Sequence, residues 1–380
     1  MSSSSRSRLL AILCAIVVAG VALYAFKISS KMVDFDVFWR AGARAAAGEP
    51  LYRPEDGHYQ FKYLPAFAIL VSPLTLLTPS LARVVWFTLS LSSLVALLAM
   101  SLRLWPERRR AAWLLAAVTI AVLGKFYAHE LLLGQANAMF GAVVVGALLA
   151  IAGGREGLAG ALVALGVVLK PYALLLIPWL ALRRRWPSIA ACVAGLAVAL
   201  GLPLLRYSAA ETVALHRQWW GTVRDTTAPN LTSADNVSWL AMYTKWFGDD
   251  TAWAFGLWMG TGVAVVALLA WMWKARPRIK LPEPLEGAVL LLLVPLVSPQ
   301  GWDYVLLLAT PCVVCLVSFA DRLAMPMRVA TYVAMAVMGL TLYDVMGRDA
   351  YRAFMMASGV TLCTFVLIAA AASLRLRQAA

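Results

Sequence analysis

Apolar runs recur along nearly the whole chain, and they confine it to a membrane fold. A bilayer core about 30 Å thick needs about 20 apolar residues of helix at about 1.5 Å per residue, and fewer where a helix stays within protein. Candidate segments fall at roughly 9–26, 82–102, 111–124, 134–152, 158–169, 171–182, 187–205, 252–273, 285–297, 303–320, 328–344 and 353–373. Hydrophobic residues make up 62% of the chain and charged residues 14%, against roughly 45–50% and about 25% in soluble domains. No soluble core could hide that surface, so lipid must solvate most of it. The sequence therefore predicts an all-α polytopic membrane protein of about 12 transmembrane helices, organised as one domain over residues 1–380. The start, MSSSSRSRLLAILCAIVVAGVALYAF, is basic and then apolar over a long run without a clear cleavage site, and it reads as an uncleaved first helix.

Charge fixes the expected orientation. The net charge is +14, from 33 Lys and Arg against 19 Asp and Glu. An excess of that size can mark a nucleic-acid partner, but its distribution here follows the positive-inside rule. With the N-terminus in the cytoplasm and the Pro-broken segment 64–78 lying along the outer face, the cytoplasmic segments are the N-terminus, RLWPERRR, GGREG, RRRW, KARPRIKLPEPLE, DRLAMPMR and RLRQ. These hold more than half of the 33 bases and only five of the 19 acids. Nucleic acid is excluded as a partner on that ground, and both termini are expected inside. Two outer segments remain, 27–81 and 206–251. The first contains FWRAGARAAAGEPLY, an Ala-rich stretch expected to form an amphipathic surface helix, ended by Gly48 and Pro50.

The chemistry-bearing residues gather at one side of this topology. Asp34 and Asp36 follow the first span in MVDFDVFWRAG. Lys125, His129, Glu130, Gln135 and Asn137 lie in GKFYAHELLLGQANAMF, Lys170 in LGVVLKPYALLL, Asn236 and Ser238 in SADNVSW, and Gln300, Trp302 and Asp303 in SPQGWDY. Ionisable residues at membrane depth are costly, so a one-sided set of them suggests a polar cavity opening outward. The helices flanking Lys170 are each about 12 residues and about 18 Å long, too short for the core, so their shared tip should sit below the outer surface. There the lysine could hold a phosphate as a point charge, or could snorkel to the interface. Trp219, Trp220, Trp239, Trp246 and Trp302 read first as interface anchors, with stacking on sugar faces as the second use. Cys14, Cys192, Cys312, Cys315 and Cys363 all lie in apolar runs. The CxxC at 312–315 sits within a span and reads as core rather than as a redox pair, which needs an accessible thiolate.

Taken in order, MVDFDVFWRAGARAAAGEPLY, FKYLPAFAILVSPL, LLLGQANAMF, LVALGVVLKPYALLLIPWL, DNVSWLAMYTKWFG and VSPQGWDYVLLLATP resemble glycosyltransferase family 87, the polyprenol-phosphate-mannose-dependent α-mannosyltransferases of the GT-C superfamily. The likeness covers about residues 30–315. It implies a GT-C fold with an outward-facing active site. Asp34 falls on the family's leading aspartate, the general base, with Asp36 ranked second at a variable position. Tyr63, Gly134-Gln135-x-Asn137, Lys170-Pro171 and Asn236-x-Ser238 fall on further motifs. Trp302-Asp303 is followed by Tyr304 where the family often has histidines, and Lys245 stands where an arginine is expected.

The expected reaction moves a sugar, mannose by resemblance, from a polyprenyl-phosphate donor to a glycolipid or glycan hydroxyl. It takes place on the outer face of a bacterial cytoplasmic membrane. Asp34 and Asp36 are the catalytic candidates. Tyr63, His129, Glu130, Gln135, Asn137, Lys170, Asn236, Ser238, Trp302 and Asp303 are the donor-binding ones. No cofactor is expected. A divalent cation held by paired carboxylates is the disfavoured alternative, because Asp34 and Asp36, two apart, do not share a helix face. The competing function is a multi-pass transporter or flippase, which would carry charge deep in several spans.

Overall fold

The computed structural model describes residues 3–248, 252–274 and 282–377. The basic segment 275–281 and the end of the second outer segment, 249–251, lie outside these residues. The regular structure of the described residues is all helical, with one isolated antiparallel bridge between Asn236 and Trp302 and no strand. The α-helices are α1 Ser3–Leu23, α2 Val33–Ala47, α3 Pro65–Val71, α4 Pro79–Arg103, α5 Ala112–Leu133, α6 Asn137–Ala152, α7 Glu156–Leu169, α8 Leu176–Leu182 and α9 Trp186–Gly201. They continue as α10 Ala209–Asp225, α11 Trp239–Phe247, α12 Ala252–Lys274, α13 Pro282–Val297, α14 Thr310–Ser318, α15 Met325–Leu340, α16 Tyr343–Met346, α17 Arg348–Met356 and α18 Gly359–Arg377.

Every apolar segment read from the sequence is helical, but the lengths support fewer crossings than twelve. Among the described residues four helices are long and apolar enough to span a membrane: Pro79–Arg103, Ala112–Leu133, Trp186–Leu205 and Ala252–Lys274. The pair Arg348–Met356 and Gly359–Leu374, bent by 55°, makes a fifth if counted as one span. Other apolar helices run to 10–17 residues. Proline is one cause of the shortening, since it removes a backbone donor and crowds the preceding turn. Pro171 opens a 3₁₀ turn, Pro171–Leu175, between α7 and α8. A second correction concerns α5, which continues through Leu133 rather than ending near 124. Lys125, His129 and Glu130 are therefore helical residues, not loop residues.

The chain packs as two units, residues 13–100 with 128–228, and residues 1–12 with 101–127 and 229–380. In the first, α2 forms as expected: Phe35, Val37, Phe38, Ala41, Gly42 and Ala45 are buried on one stripe, and Gly48, in left-handed conformation, closes the helix. That stripe lies on an aromatic core. Phe38 meets Tyr63, Phe67 and Trp86 at ring separations of 4.7, 5.1 and 5.5 Å, and Tyr63 stacks on Phe67 at 4.5 Å. Such ring pairs contribute about 0.5–1.5 kcal/mol each beyond area burial. The outer segment is tied down by a two-bond pair of Arg44 with Asp56 at 2.6 and 2.8 Å. Helix α10 begins with a capping box, in which Ser208 and Glu211 satisfy each other's backbone N–H. Around it, the Tyr207 hydroxyl donates to the Glu49 carbonyl at 2.8 Å and the Trp219 indole to that of Lys62 at 3.1 Å.

In the second unit the 3₁₀ segment Asp303–Ala309 and α14 are buried end to end. Cys312 and Cys315 are buried free thiols on α14.

Helices α7 and α9 cross where Gly160 lets their backbones touch. A Cβ there would overlap the Ser188 carbonyl oxygen and come within 2.7 Å of the Ala191 Cβ. Neither neighbour is a flexible side-chain tip, so relief requires the helices to part. Gly160→Ala is expected to lower stability by about 1–3 kcal/mol, the cost of overpacking, read as a lower thermal midpoint of the purified protein in detergent. An unchanged midpoint would show that the crossing is loose.

Candidate functional site

The turn after α5 builds the site. Gly134 takes φ +71°, and both its N–H and that of Gln135 donate to the Glu130 carbonyl, at 3.0 and 3.1 Å. Glycine adopts this left-handed conformation without a side-chain penalty. It is also required for space, because a Cβ at Gly134 would lie 2.8 Å from the Phe35 Cβ and 3.1 Å from the Met32 Cε. The start of α2 therefore presses directly on the turn. The Met32 N–H donates to the Leu132 carbonyl at 3.0 Å, and the Trp86 indole donates to that of Gly134 at 2.8 Å. Met32 itself is held at φ 58° and is fully buried, a strained conformation for a side-chain-bearing residue.

This contact brings Asp34 to Gln135. The Gln135 Nε2 donates to Asp34 Oδ2 at 2.8 Å. Its Oε1 accepts from the Tyr63 hydroxyl at 2.9 Å and from Lys170 Nζ at 3.3 Å. Lys170 ends α7 in extended conformation, and its ammonium stands 4.5 Å from the centre of the Tyr63 ring, within cation–π range. Tyr63 is fixed in turn by the Tyr52 hydroxyl, which donates to its carbonyl at 2.7 Å. Glu130 lies one turn before Gln135 and is fully buried. Its oxygens accept from Asn137 Nδ2 at 2.8 Å and from the Ala138 N–H at 2.9 Å, so it caps the N-terminus of α6. His129 is half-buried beside it.

The two aspartates of the DFD motif part company. Both oxygens of Asp36 are taken by Arg83, at 3.1, 2.9 and 2.8 Å, while Asp34 faces Lys170. Nothing in the sequence marks Arg83 as this partner, which lies 47 residues away. Nor does the sequence mark Lys62 or His58 as neighbours of Asp34. Lys62 adjoins Tyr63 in FKYLP, and its charge and that of His58 both bear on Asp34. Burial pushes the Asp34 carboxyl above its ordinary value of 3.8, and the Gln135 hydrogen bond, Lys170, Lys62 and His58 pull back without restoring it. Burial likewise lowers the Lys62 ammonium, with Asp34 opposing.

The remaining candidates lie in the second unit. The Asn236 Nδ2 donates to the carbonyls of Pro299 at 2.8 Å and Asn230 at 3.1 Å. Its Oδ1 accepts from the Ser238 N–H at 3.0 Å, and Ser238 Oγ caps α11 by accepting from the Ala241 N–H at 3.1 Å. Both residues are fully buried, so the Asn-x-Ser motif forms a turn and a helix start. The Asp303 N–H donates to the Asp235 carbonyl at 2.9 Å, setting two aspartates side by side. Lys125 is 3.5 Å from Asp303 and donates to the Thr341 carbonyl at 2.9 Å. The Tyr351 hydroxyl donates to Asp235 at 3.0 Å. Lys245 places its ammonium on the carbonyls of Asn236, Ala234 and Met355, at 2.7, 2.9 and 3.3 Å, and burial brings it down to about 8. Trp302 is half-buried and Trp220 is 62% exposed. Among the described residues no three His, Cys, Asp or Glu side chains gather as metal ligands would.

Because the folded state raises the Asp34 carboxyl, its stability contribution is present below the unfolded value near 3.8 and is lost as pH rises through the folded one. Ionised Asp34 thus weighs against folding at neutral pH. Asp34→Asn, which can still accept from Gln135, is expected to leave the thermal midpoint at pH 7 unchanged or raised. Any gain should shrink as the pH falls towards 4. A lowered midpoint at pH 7 would contradict the placement.

The turn, the lysine and the tyrosine can be set beside known proteins. No curated protein matches the chain. The profile of glycosyltransferase family 87 matches residues 61–299. That stretch covers more than half of the chain and takes in Tyr63, Gln135, Asn137, Lys170, Asn236 and Ser238. Asp34 precedes it, and Trp302 and Asp303 follow it. With this match over helices of membrane-spanning length, the chain belongs to glycosyltransferase family 87 and is a membrane glycosyltransferase.

Proposed function

We propose that the protein moves a sugar, mannose first among the candidates, from a polyprenyl-phosphate donor to a hydroxyl of a glycolipid or glycan, on the outer face of a bacterial cytoplasmic membrane. The observation that carries this reading is that Asp34 and Lys170 are held on opposite ends of one Gln135 amide. A base and a phosphate-binding cation in such proximity suit one displacement at an anomeric carbon that bears a phosphate.

In this reading Asp34 takes the proton of the acceptor hydroxyl as its oxygen attacks the anomeric carbon. The bond from that carbon to the phosphate oxygen breaks, and polyprenyl phosphate leaves with the electron pair. Lys170 meets the charge that develops on the phosphate, with Lys62 as a second cation on the same carboxylate. A single displacement inverts the anomeric centre, so a β-linked donor gives an α-linked product. The donor is already activated by its phosphate, and the reading calls on no nucleotide and no cofactor.

Purified protein in nanodiscs, supplied with a panel of radiolabelled polyprenyl-phosphate sugars and total membrane lipid, should transfer label to a new product. Asp34→Asn should reduce that transfer by a factor of about 10²–10⁴. Lys170→Met should raise the donor KM about tenfold or more, the scale of a lost hydrogen bond to a charged group. Because the Asp34 carboxyl is raised, the rate should fall as pH drops through a value above 3.8. Transfer that survives Asp34→Asn would remove Asp34 from the role of base.

A further inference from the structure

The two ends of the Gln135 amide cannot be exchanged. Its oxygen faces the Tyr63 hydroxyl at 2.9 Å and the Lys170 ammonium at 3.3 Å. Lysine offers donors only and a carboxylate accepts only. Turning the amide over would set its NH₂ against an ammonium and its oxygen against Asp34. Nor can the donors withdraw easily. The Tyr63 ring is stacked on Phe67 at 4.5 Å and its carbonyl is bonded by Tyr52 at 2.7 Å. Lys170 is anchored as the residue that caps the end of α7, where its N–H donates to the Gly166 carbonyl at 2.7 Å. The NH₂ end must therefore face α2, where it donates to Asp34 Oδ2 at 2.8 Å. Among the described residues no hydrogen bond reaches Asp34 Oδ1.

We propose that Gln135 is a positioning residue which divides the labour of the two Asp34 oxygens. It holds Oδ2, so that Oδ1 is the oxygen that takes the acceptor proton, and it carries the pull of the Lys170 ammonium through its polarised amide to the base. The proposal rests on Asp34 being the general base. Both ends of the amide are bonded to protein groups, as a positioning residue requires. The amide sets the direction of Oδ1 and, through its donor, the basicity of the carboxylate. The other charged groups bearing on Asp34 are Lys62 and His58, and Glu130 and Lys62 bear on Lys170.

The test reads the carboxyl directly. An infrared pH titration of the protein in nanodiscs, taken as the difference from Asp34→Asn, reports the protonation of Asp34 without any substrate. Gln135→Met keeps the length of the side chain and removes both polar ends. It is expected to move the Asp34 midpoint up by about one pH unit, and to shift the acid limb of the transfer rate by the same amount with kcat falling more than donor KM changes. An unmoved midpoint, whatever the stability of the variant, would overturn the proposal and leave Gln135 a packing residue. If Gln135→Met does not fold, Gln135→Glu decides. It is isosteric, can still accept from Tyr63 and Lys170, and brings a like charge against Oδ2. An upward shift is expected, and no shift refutes the contact. The reading beneath is judged separately, by transfer in Asp34→Asn. If that variant still transfers, Asp34 is not the base, even where the infrared shift shows that the amide holds it.

Discussion

A left-handed glycine sets the spacing on which this site depends. At Gly134 the chain turns out of α5 so closely against the start of α2 that no side chain fits between them. Everything polar nearby follows from that approach. Glu130, on the last turn of α5, caps the next helix. Gln135, the first residue past the turn, meets Asp34. Asn137, two residues on, satisfies Glu130. One backbone conformation thus places three side chains of an eight-residue stretch, Glu130 to Asn137, at fixed relative positions.

The site is stiff because apolar packing stands behind each polar group. Tyr63 presents its hydroxyl to Gln135 from a stack with Phe61 and Phe67 that Phe38 meets edge-on. Asp34 sits on a short helix whose buried stripe rests on the same rings. The acids of that helix lie in its first turn, where the N–H dipoles favour negative charge. That favourable term is outweighed at Asp34 by burial, which raises the carboxyl, and Asp36 is answered instead by Arg83. Two aspartates two positions apart thereby acquire different chemistry from their surroundings alone, the pattern by which carboxylates are sorted into acid, base and structural groups.

In the other unit, buried polar groups are spent on shape. Asn236 and Ser238 use their side chains to form a turn and start a helix, and Lys245 ties three carbonyls together. Their motif is a device for setting Asp235 beside Asp303. Lys125 and Tyr351 complete a compact charged network around those two acids.

The sequence by itself determined the solvent, the class of structure and the family. Apolar runs and the placement of arginines are local or additive properties, and they need no fold to be counted. It also marked most of the candidate site: Asp34, Gln135, Asn137 and Lys170 were legible as polar residues against an apolar background, and Tyr63 through the family resemblance alone. It did not tell which helices are long enough to cross a membrane alone, because prolines and 3₁₀ turns shorten segments whose composition is unchanged. Nor did it reveal Arg83, Lys62 or the capping role of Glu130. Arg83 and Lys62 meet their aspartates across tens of residues, and Glu130 caps α6 only because the Gly134 turn folds α6 back onto it; in each case hydrogen-bond direction and burial are set by packing. The division of roles between Asp34 and Asp36 was decided only by tertiary structure. The two carboxylates are chemically identical, and only what each one faces makes one a partner of arginine and the other a raised acid beside lysine.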